Sequence, residues 1–224
     1  MKANHTARPF GVLLLIGSVA VAFAPAGALA QQRAGGAGWY SGLSVGGSQI
    51  GMSNDILPIT PATTPSSLTK DESSTGFKLF AGYRYNQNFA LEGGYTDLGK
   101  FEARRDATAP VGSISRNMRT SGFDLAAVGI IPMQSGFSLF GKIGAMYTMT
   151  RSSISTSGAL LPLPTTDLSP KRSEWNPKVG LGAGYDFSNG LGLRVEYERV
   201  SNVGDARTGD GNIGMWSLGL TKRY

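Results

Sequence analysis

The sequence predicts an all-β fold, an eight-stranded antiparallel up-and-down transmembrane β-barrel that follows a cleaved N-terminal signal peptide. Three observations predict it. Eight segments of about 9–13 residues alternate apolar and polar side chains, which is the period of a β-strand. Short turns alternate with longer loops between these segments, as they do when consecutive strands are neighbours in a barrel. The chain also begins with an export signal.

Residues 1–30 are predicted to be a secretory signal peptide. Two basic residues precede an apolar run of about fifteen residues, and Ala28-Leu29-Ala30 is a typical cleavage site. An N-terminal membrane helix is the alternative, but the apolar run is shorter than the roughly 20 residues that a helical span needs. Cleavage would leave a flexible leader over residues 31–38 and one β-barrel domain over residues 39–224.

The composition of the exported chain excludes several kinds of site. Without Lys2 and Arg8 of the signal peptide, 19 of the 21 basic residues remain against 15 acidic ones, a net charge of +4. The chain has no Cys, and its single histidine, His5, lies in the signal peptide. We therefore expect no disulfide framework. Barrel enzymes generally use His as their base, and soft metal sites use Cys or His. The composition thus predicts no enzymatic activity, no catalytic residue, no metal site and no cofactor.

A β-hairpin over residues 79–97 shows the alternation most clearly. Asn86-Gln87-Asn88 is predicted to form its turn, because Asn tolerates a left-handed backbone and hydrogen-bonds its own main chain. One face of the hairpin carries Leu79, Ala81, Tyr83, Tyr85, Phe89, Leu91, Gly93 and Tyr95. The other face carries Phe80, Gly82, Arg84, Ala90, Glu92, Gly94 and Thr96.

The other strands follow from the same pattern. They are predicted over residues 39–49, 118–131, 137–151, 175–187, 191–200 and 213–224. Polar loops are predicted over residues 50–74, 99–116, 152–174 and 201–212. The first of these loops is rich in Pro, Thr and Ser, and prolines in the third argue against a strand or helix there. A hairpin turn is predicted at Ser188-Asn189-Gly190 because it contains Asn-Gly.

The two faces distinguish a membrane barrel from a soluble one. A soluble ligand-binding barrel turns its apolar face inward, whereas small and charged side chains inside, with apolar ones outside, are typical of a membrane barrel. Aromatic side chains also gather where the short turns begin and end, as amphipathic rings do at a membrane interface. This predicted girdle comprises Tyr83, Tyr85, Phe89, Phe137, Tyr185, Phe187 and Tyr224. The opposite girdle is predicted at Tyr95, Tyr147, Trp175, Tyr197 and Trp216.

The hairpin sequence over residues 82–99, Gly-Tyr-Arg-Tyr-Asn…Phe-Ala-Leu-Glu-Gly-Gly-Tyr-Thr-Asp-Leu-Gly, resembles the OmpA-type barrel family of Gram-negative outer membranes. Three later segments are similar to the same family: Arg194-Val195-Glu196-Tyr197, Asn202-Val203-Gly204-Asp205 and Ser217-Leu218-Gly219-Leu220. The resemblance implies a location in the cell outer membrane of a Gram-negative bacterium. Members of the family often carry a peptidoglycan-binding domain, and we expect none in this chain.

Four charged side chains are predicted to meet in the lumen. Glu92 and Arg194 lie three residues from the starts of two strands that face each other across the barrel. An eight-stranded barrel is narrow enough for such side chains to meet, and buried charges need partners. The predicted network comprises Glu92, Arg194, Lys142 and Glu196, with Asp124 and Lys78 as further candidates.

This network has two interpretations, a structural plug and a gate. The resemblance implies that the matching glutamate and arginine close the bore, and that a lysine on the fourth strand offers the glutamate another partner. Here Val128 occupies that position, and Lys142 is the candidate substitute. We therefore expect a structural or surface-interaction role with a charged, largely plugged lumen. The alternative is a narrow low-conductance porin-like channel for small solutes or ions.

The loops and the last strand suggest partners. Basic loop residues bind phosphates well, although a merely solvated loop is the alternative. The candidate lipopolysaccharide contacts are Arg104, Arg105, Lys171 and Arg172. The resemblance also implies that the C-terminal strand, which ends on Tyr224, is recognised by the outer-membrane assembly machinery. We further expect contact with outer-membrane lipids, no nucleic-acid partner, and a surface ligand, if any, that no loop motif identifies.

Overall fold

The computed structural model describes residues 36–52, 64–159, 167–205 and 209–224. The predicted signal peptide and residues 31–35 of the predicted leader lie outside these ranges. The strands are β1 (Gly38–Met52), β2 (Thr64–Asp71), β3 (Ser73–Arg84), β4 (Phe89–Ala109), β5 (Val111–Pro132), β6 (Phe137–Gly158), β7 (Lys171–Asp186), β8 (Leu191–Asp205) and β9 (Gly209–Arg223). A 3-10 turn, Gln134–Gly136, joins β5 to β6. Within the described ranges, no helix is long and apolar enough to cross a membrane.

The strands form one antiparallel sheet that closes on itself. β1 pairs with β3 on one side and with β9 on the other, and the pairing of β4 with β5 completes the ring. β2 pairs with the far part of β4, from Asp71 opposite Glu102 to Thr64 opposite Ala109. β3 pairs with the near part of the same strand, so β2 and β3 share one position. The ring therefore has eight strand positions, and the predicted eight-stranded antiparallel barrel is confirmed.

The two ends of the barrel differ in their connections. We call the end with the short turns, at residues 85–88, 133–136 and 187–190, the turn end, and the opposite end the loop end. Asn86 shapes the first turn by accepting a hydrogen bond from the backbone N–H of Asn88 at 2.8 Å. Asn189 accepts a similar bond from the N–H of Leu191 at 3.0 Å. The turn residues therefore act as their side-chain chemistry predicts.

The strands extend farther toward the loop end than the sequence pattern indicates. β4 and β5 stay paired as far as Thr108 opposite Val111, so the loop predicted over residues 99–116 is wrong. β2 lies inside the loop predicted over residues 50–74. β6 and β7 likewise extend into the loop predicted over residues 152–174.

A reversal of the apolar face explains these wrong loop predictions. Near the turn end the outer wall is apolar, and Ile143 and Leu181 are more than 60% exposed. Near the loop end the apolar side chains turn inward instead, since Phe101 and Ile114 are 1% exposed, while their outward neighbours are polar. A strand that changes its apolar face has no single alternation, and the polar outer positions resemble a loop.

Apolar side chains fill the lumen at the loop end. Nine of them form one buried cluster: Ile50, Leu98, Phe101, Met118, Met146, Val200, Val203, Ile213 and Met215. A smaller cluster, Ala90, Val128 and Phe140, lies nearer the turn end, with Tyr40 and Ile130 packed against it. The charged side chains described below lie on the strand segments between these two clusters.

Candidate functional site: the charged lumen

The carboxylate of Glu92 is contacted from several strands at once. Arg194 on β8 donates from Nη1 to Oε2 of Glu92 at 2.8 Å, and the hydroxyl of Tyr40 on β1 donates to the same oxygen at 3.0 Å. Lys142 on β6 donates from Nζ to Oε1 at 2.5 Å. Glu92 is 1% exposed, so these donors take the place of water around its charge.

Two lysines connect Glu92 with the carboxylates of Glu196 and Glu198 on β8. Lys142 Nζ also lies 2.7 Å from Oε2 of Glu196. Lys78 on β3 donates to Glu196 at 3.0 Å and to Glu198 at 2.8 Å, and lies 3.4 Å from Glu92. Lys142 Nζ also lies 3.3 Å from Oε1 of Glu198. Each lysine therefore faces three carboxylates, which compensates the cost of burying an ammonium group.

A third lysine extends the network to β5 and β7. Lys178 Nζ lies 3.0 Å from Asp124 and 2.9 Å from Glu198, and Thr96 donates to Asp124 at 3.2 Å. The lumen network consists of four cations and four carboxylates, so its formal charge is zero: Lys78, Lys142, Lys178, Arg194, Glu92, Asp124, Glu196 and Glu198. None of these side chains is more than 8% exposed.

Aromatic rings flank the guanidinium of Arg194. Its central carbon lies 4.0 Å from the ring centroid of Phe140 and 5.0 Å from that of Phe80, a cation–π arrangement. Nε of Arg194 lies 3.0 Å from Oε2 of Glu196, as an ionic contact without hydrogen-bond geometry. A Cβ at Gly182 would overlap the Phe140 ring. Glycine at that position therefore leaves room for the ring that supports Arg194.

The structure brings together all four side chains of the predicted network, together with Asp124 and Lys78. The sequence interpretation omitted Glu198 and Lys178, although both occupy inward positions of strands whose alternation was clear. It also omitted Tyr40, whose role depends on the pairing of β1. Val128 is 1% exposed and packs in the lumen beside Phe140.

A small cavity lies at the turn end of the lumen. Its volume is about 70 Å³, and its lining includes Tyr40, Arg84, Asp186, Arg194 and Arg223. Arg223 and Asp186 form an ion pair at 3.2 Å. The cavity lining also includes the apolar side chains of Val128, Ile130 and Phe140, so apolar and charged groups both face the opening at the turn end.

The predicted aromatic girdle residues lie on the outer surface at the turn end. Tyr83 and Tyr85 contact each other along the chain, with ring centroids 5.1 Å apart. Phe137 and Tyr185 lie opposite each other on β6 and β7, with centroids 4.7 Å apart. Phe89 contacts Tyr85, and Phe187 contacts Tyr185. Tyr224 lies apart from these ring pairs, with its hydroxyl 3.2 Å from that of Ser41.

The four basic residues predicted to contact lipopolysaccharide lie on strands and point to opposite faces. Arg104 and Lys171 are exposed on the outer face. Arg105 lies on the inward-facing side of β4, between the buried Ala103 and Ala107. Arg172 also faces inward and pairs with Glu174 at 2.8 Å and with Asp205 at 2.9 Å. The hydrogen bond to Glu174 raises the pKa of Arg172.

Together these features define a class of protein, a small transmembrane β-barrel with an apolar outer wall and a lumen filled by paired charges. The family model of the OmpA-like transmembrane domain matches residues 35–224, and the chain belongs to that family. It is therefore an integral protein of the outer membrane.

Among the residues that the structure describes, no group of three or more His, Cys, Asp or Glu side chains is arranged to hold a metal ion.

Relatives and solved structures of this kind are numerous. Outer membrane protein A of Yersinia pseudotuberculosis is 27% identical over 188 residues, which are 83% of this chain and 48% of the relative. The chain thus spans about half the length of that relative. Neisserial surface protein A matches with a TM-score of 0.48 and 18% identity, over 84% of this chain and 99% of that one. The outer membrane protein OprG of Pseudomonas aeruginosa matches with a TM-score of 0.49 and 13% identity, over 85% and 96%.

Proposed function

We propose that this outer-membrane barrel has a structural and surface-interaction role and that its lumen is closed by the network of eight charged side chains. The observation that carries the proposal is the shared carboxylate of Glu92, which contacts Arg194, Lys142 and Lys78. An ion that crosses the lumen would have to break several of these contacts. Each break leaves a buried charge without its partner, which is strongly unfavourable.

The apolar clusters on either side of the network support the same proposal. The loop-end cluster contains Phe101, Met146 and Ile213, each at most 1% exposed. A hydrated ion would lose water in such a layer without gaining polar contacts. Closure therefore has two components, an ionic layer and an apolar layer.

Liposome swelling tests closure against solute passage. Proteoliposomes that contain the purified barrel should not swell in an isosmotic solution of a small sugar, whereas a general porin in matched liposomes should cause rapid swelling. Swelling by the barrel at the rate of the porin would refute a closed lumen.

A narrow low-conductance channel is the second candidate function. It is favoured by one observation: Glu92 holds Arg194 and Lys142 on different oxygens, so either cation can leave while the other remains. Such an exchange of partners would open the bore briefly. Rare, short current steps in planar bilayers would distinguish this candidate from a permanent plug.

We also propose two partners for the outer surface, lipopolysaccharide and the outer-membrane assembly machinery. Arg104 and Lys171 face outward, toward the lipid, and are suited to its anionic groups, whereas Arg105 and Arg172 face inward. For the assembly machinery, the last strand presents alternate exposed apolar side chains: Trp216, Leu218, Leu220 and Tyr224. Lys222 interrupts this row, and its ammonium group reaches the carbonyl oxygen of Asn189 at 3.0 Å.

A further inference from the structure

Four basic side chains lie directly opposite one another across neighbouring strands near the loop end. The register places Lys100 of β4 opposite Arg119 of β5, Arg119 opposite Arg151 of β6, and Arg151 opposite Lys171 of β7. All four are exposed on the outer face. Because neighbouring strands are about 4.8 Å apart, this basic row spans about 14 Å.

Such a row is unfavourable for folding alone, since like charges directly opposite each other repel. Arg119 has an acidic neighbour, with Nη2 at 2.5 Å from Oδ2 of Asp97. Within the described residues, Lys100, Arg151 and Lys171 form no such ion pair. The row therefore concentrates positive charge that an anion from outside the chain could compensate.

An aromatic row on the same four strands fixes the height of the basic row. Tyr95, Phe123, Tyr147 and Trp175 are directly opposite one another, and their rings contact in pairs at 5.2 and 5.3 Å. Aromatic belts lie at the membrane–water interface. The basic row lies four residues beyond this belt on β5 to β7, about 13 Å along the strand. With strands tilted by about 40°, that is about 10 Å above the belt, in the headgroup region.

We propose that the basic row binds the phosphate groups of lipopolysaccharide in the outer leaflet. The inference rests on the proposed function in one respect, since the loop end must face outside the cell. Arginine binds phosphate with two parallel hydrogen bonds and lysine binds it as a point charge. Cations spread over about 14 Å match a glycolipid with several phosphate groups better than a phospholipid with one.

The test is lipopolysaccharide binding to the full barrel in phosphatidylcholine nanodiscs. The variant Lys100→Gln/Arg151→Gln/Lys171→Gln removes the three cations without an ion pair and keeps Arg119. Its affinity for lipopolysaccharide should fall at least about 10-fold. The control, Arg199→Gln/Lys222→Gln, removes two exposed cations that lie outside the basic row and should stay within about 2-fold of wild type. A heat-modifiability gel establishes that both variants are folded.

Two further ligands distinguish recognition of the phosphate groups of lipopolysaccharide from a non-specific attraction of the basic row to negatively charged lipids. Wild-type protein should bind dephosphorylated lipopolysaccharide as weakly as the triple variant binds the intact glycolipid, and should bind phosphatidylglycerol vesicles more weakly still. Equal affinity of wild type and triple variant, or an equal loss in the control, would overturn the proposal. Conductance of the same preparations keeps the two proposals apart: a closed barrel without lipopolysaccharide binding refutes only this inference, and a conducting barrel that binds normally refutes only the closed lumen.

Discussion

Lys142 Nζ lies 2.5 Å from Oε1 of Glu92, while Arg194 Nη1 lies 2.8 Å from Oε2 of the same carboxylate. One acid on β4 thus ties β6 and β8 together through the middle of the barrel. Because β4, β6 and β8 are not neighbours in the ring, these contacts link parts of the barrel that backbone hydrogen bonds do not join directly. Removing Glu92 should therefore affect both stability and permeability.

Glu92→Gln should lower the free energy of unfolding by about 3–5 kcal/mol. The substitution keeps the size of the side chain but leaves four buried cations against three carboxylates. Urea unfolding in lipid vesicles, followed by tryptophan fluorescence, measures the change. The matched control is Glu102→Gln on the exposed outer face of β4, which should change stability by less than about 0.5 kcal/mol. Equal effects of the two substitutions would contradict the assigned role of Glu92.

Arg194→Lys should destabilise the barrel by about 1–2 kcal/mol, although it keeps the charge. Lysine lacks the planar group that lies 4.0 Å from the Phe140 ring centroid. A double-mutant cycle with Phe140→Leu isolates this contact and should give a coupling energy of about 1 kcal/mol. Additive effects would show that the ring does not support the guanidinium.

Val128→Lys should raise the frequency of current steps in planar bilayers. Val128 lies directly opposite Lys142 in the register of β5 and β6, so a lysine there would repel Lys142 and compete for Glu92. Val128→Met adds similar length without charge and should leave the recordings unchanged. If both variants behave like wild type, this position does not influence closure.

Tyr224→Ala should reduce the fraction of newly made protein that assembles in the outer membrane. Tyr224 ends the row of outward apolar residues on β9, and its backbone N–H donates to the carbonyl of Trp39 at 3.0 Å. Lys222→Gln, two residues earlier and also outward, should assemble normally. Pulse-chase labelling with heat-modifiability gels follows assembly, and equal yields for wild type and Tyr224→Ala would exclude Tyr224 as a recognition element.

The sequence predicted the positions of side chains well where a strand has lipid on one face and the lumen on the other along its whole length. Between the two interfaces lipid lies outside, so alternation alone placed Glu92 and Arg194 on inward positions, and counting from the turns placed them at one height. The same counting could have added Glu198 and Lys178, since both continue inward rows. The contacts of Tyr40 could not be predicted, because they depend on which strands β1 joins.

Near the loop end the apolar side chains turn inward and the outer side chains are polar, so the alternation of the sequence no longer marks an apolar outer face. Phe101 and Ile114 point inward there, while Glu102 and Arg104 point outward, so the outer polar residues resembled loops. For the same reason Arg105 and Arg172 could not be separated from their outward neighbours. The basic row is likewise invisible in the sequence, because its members come from four strands and only the register aligns them.

Single-channel recording in planar bilayers tests the closed lumen most directly. The wild-type barrel should show almost no current, and Glu92→Gln should show frequent openings because the remaining cations repel one another. The double variant Glu92→Gln/Lys142→Met restores neutrality and keeps the contact between Arg194 and Glu196, so it should be nearly closed again. Steady wild-type conductance that neither variant changes would contradict closure by the charged network.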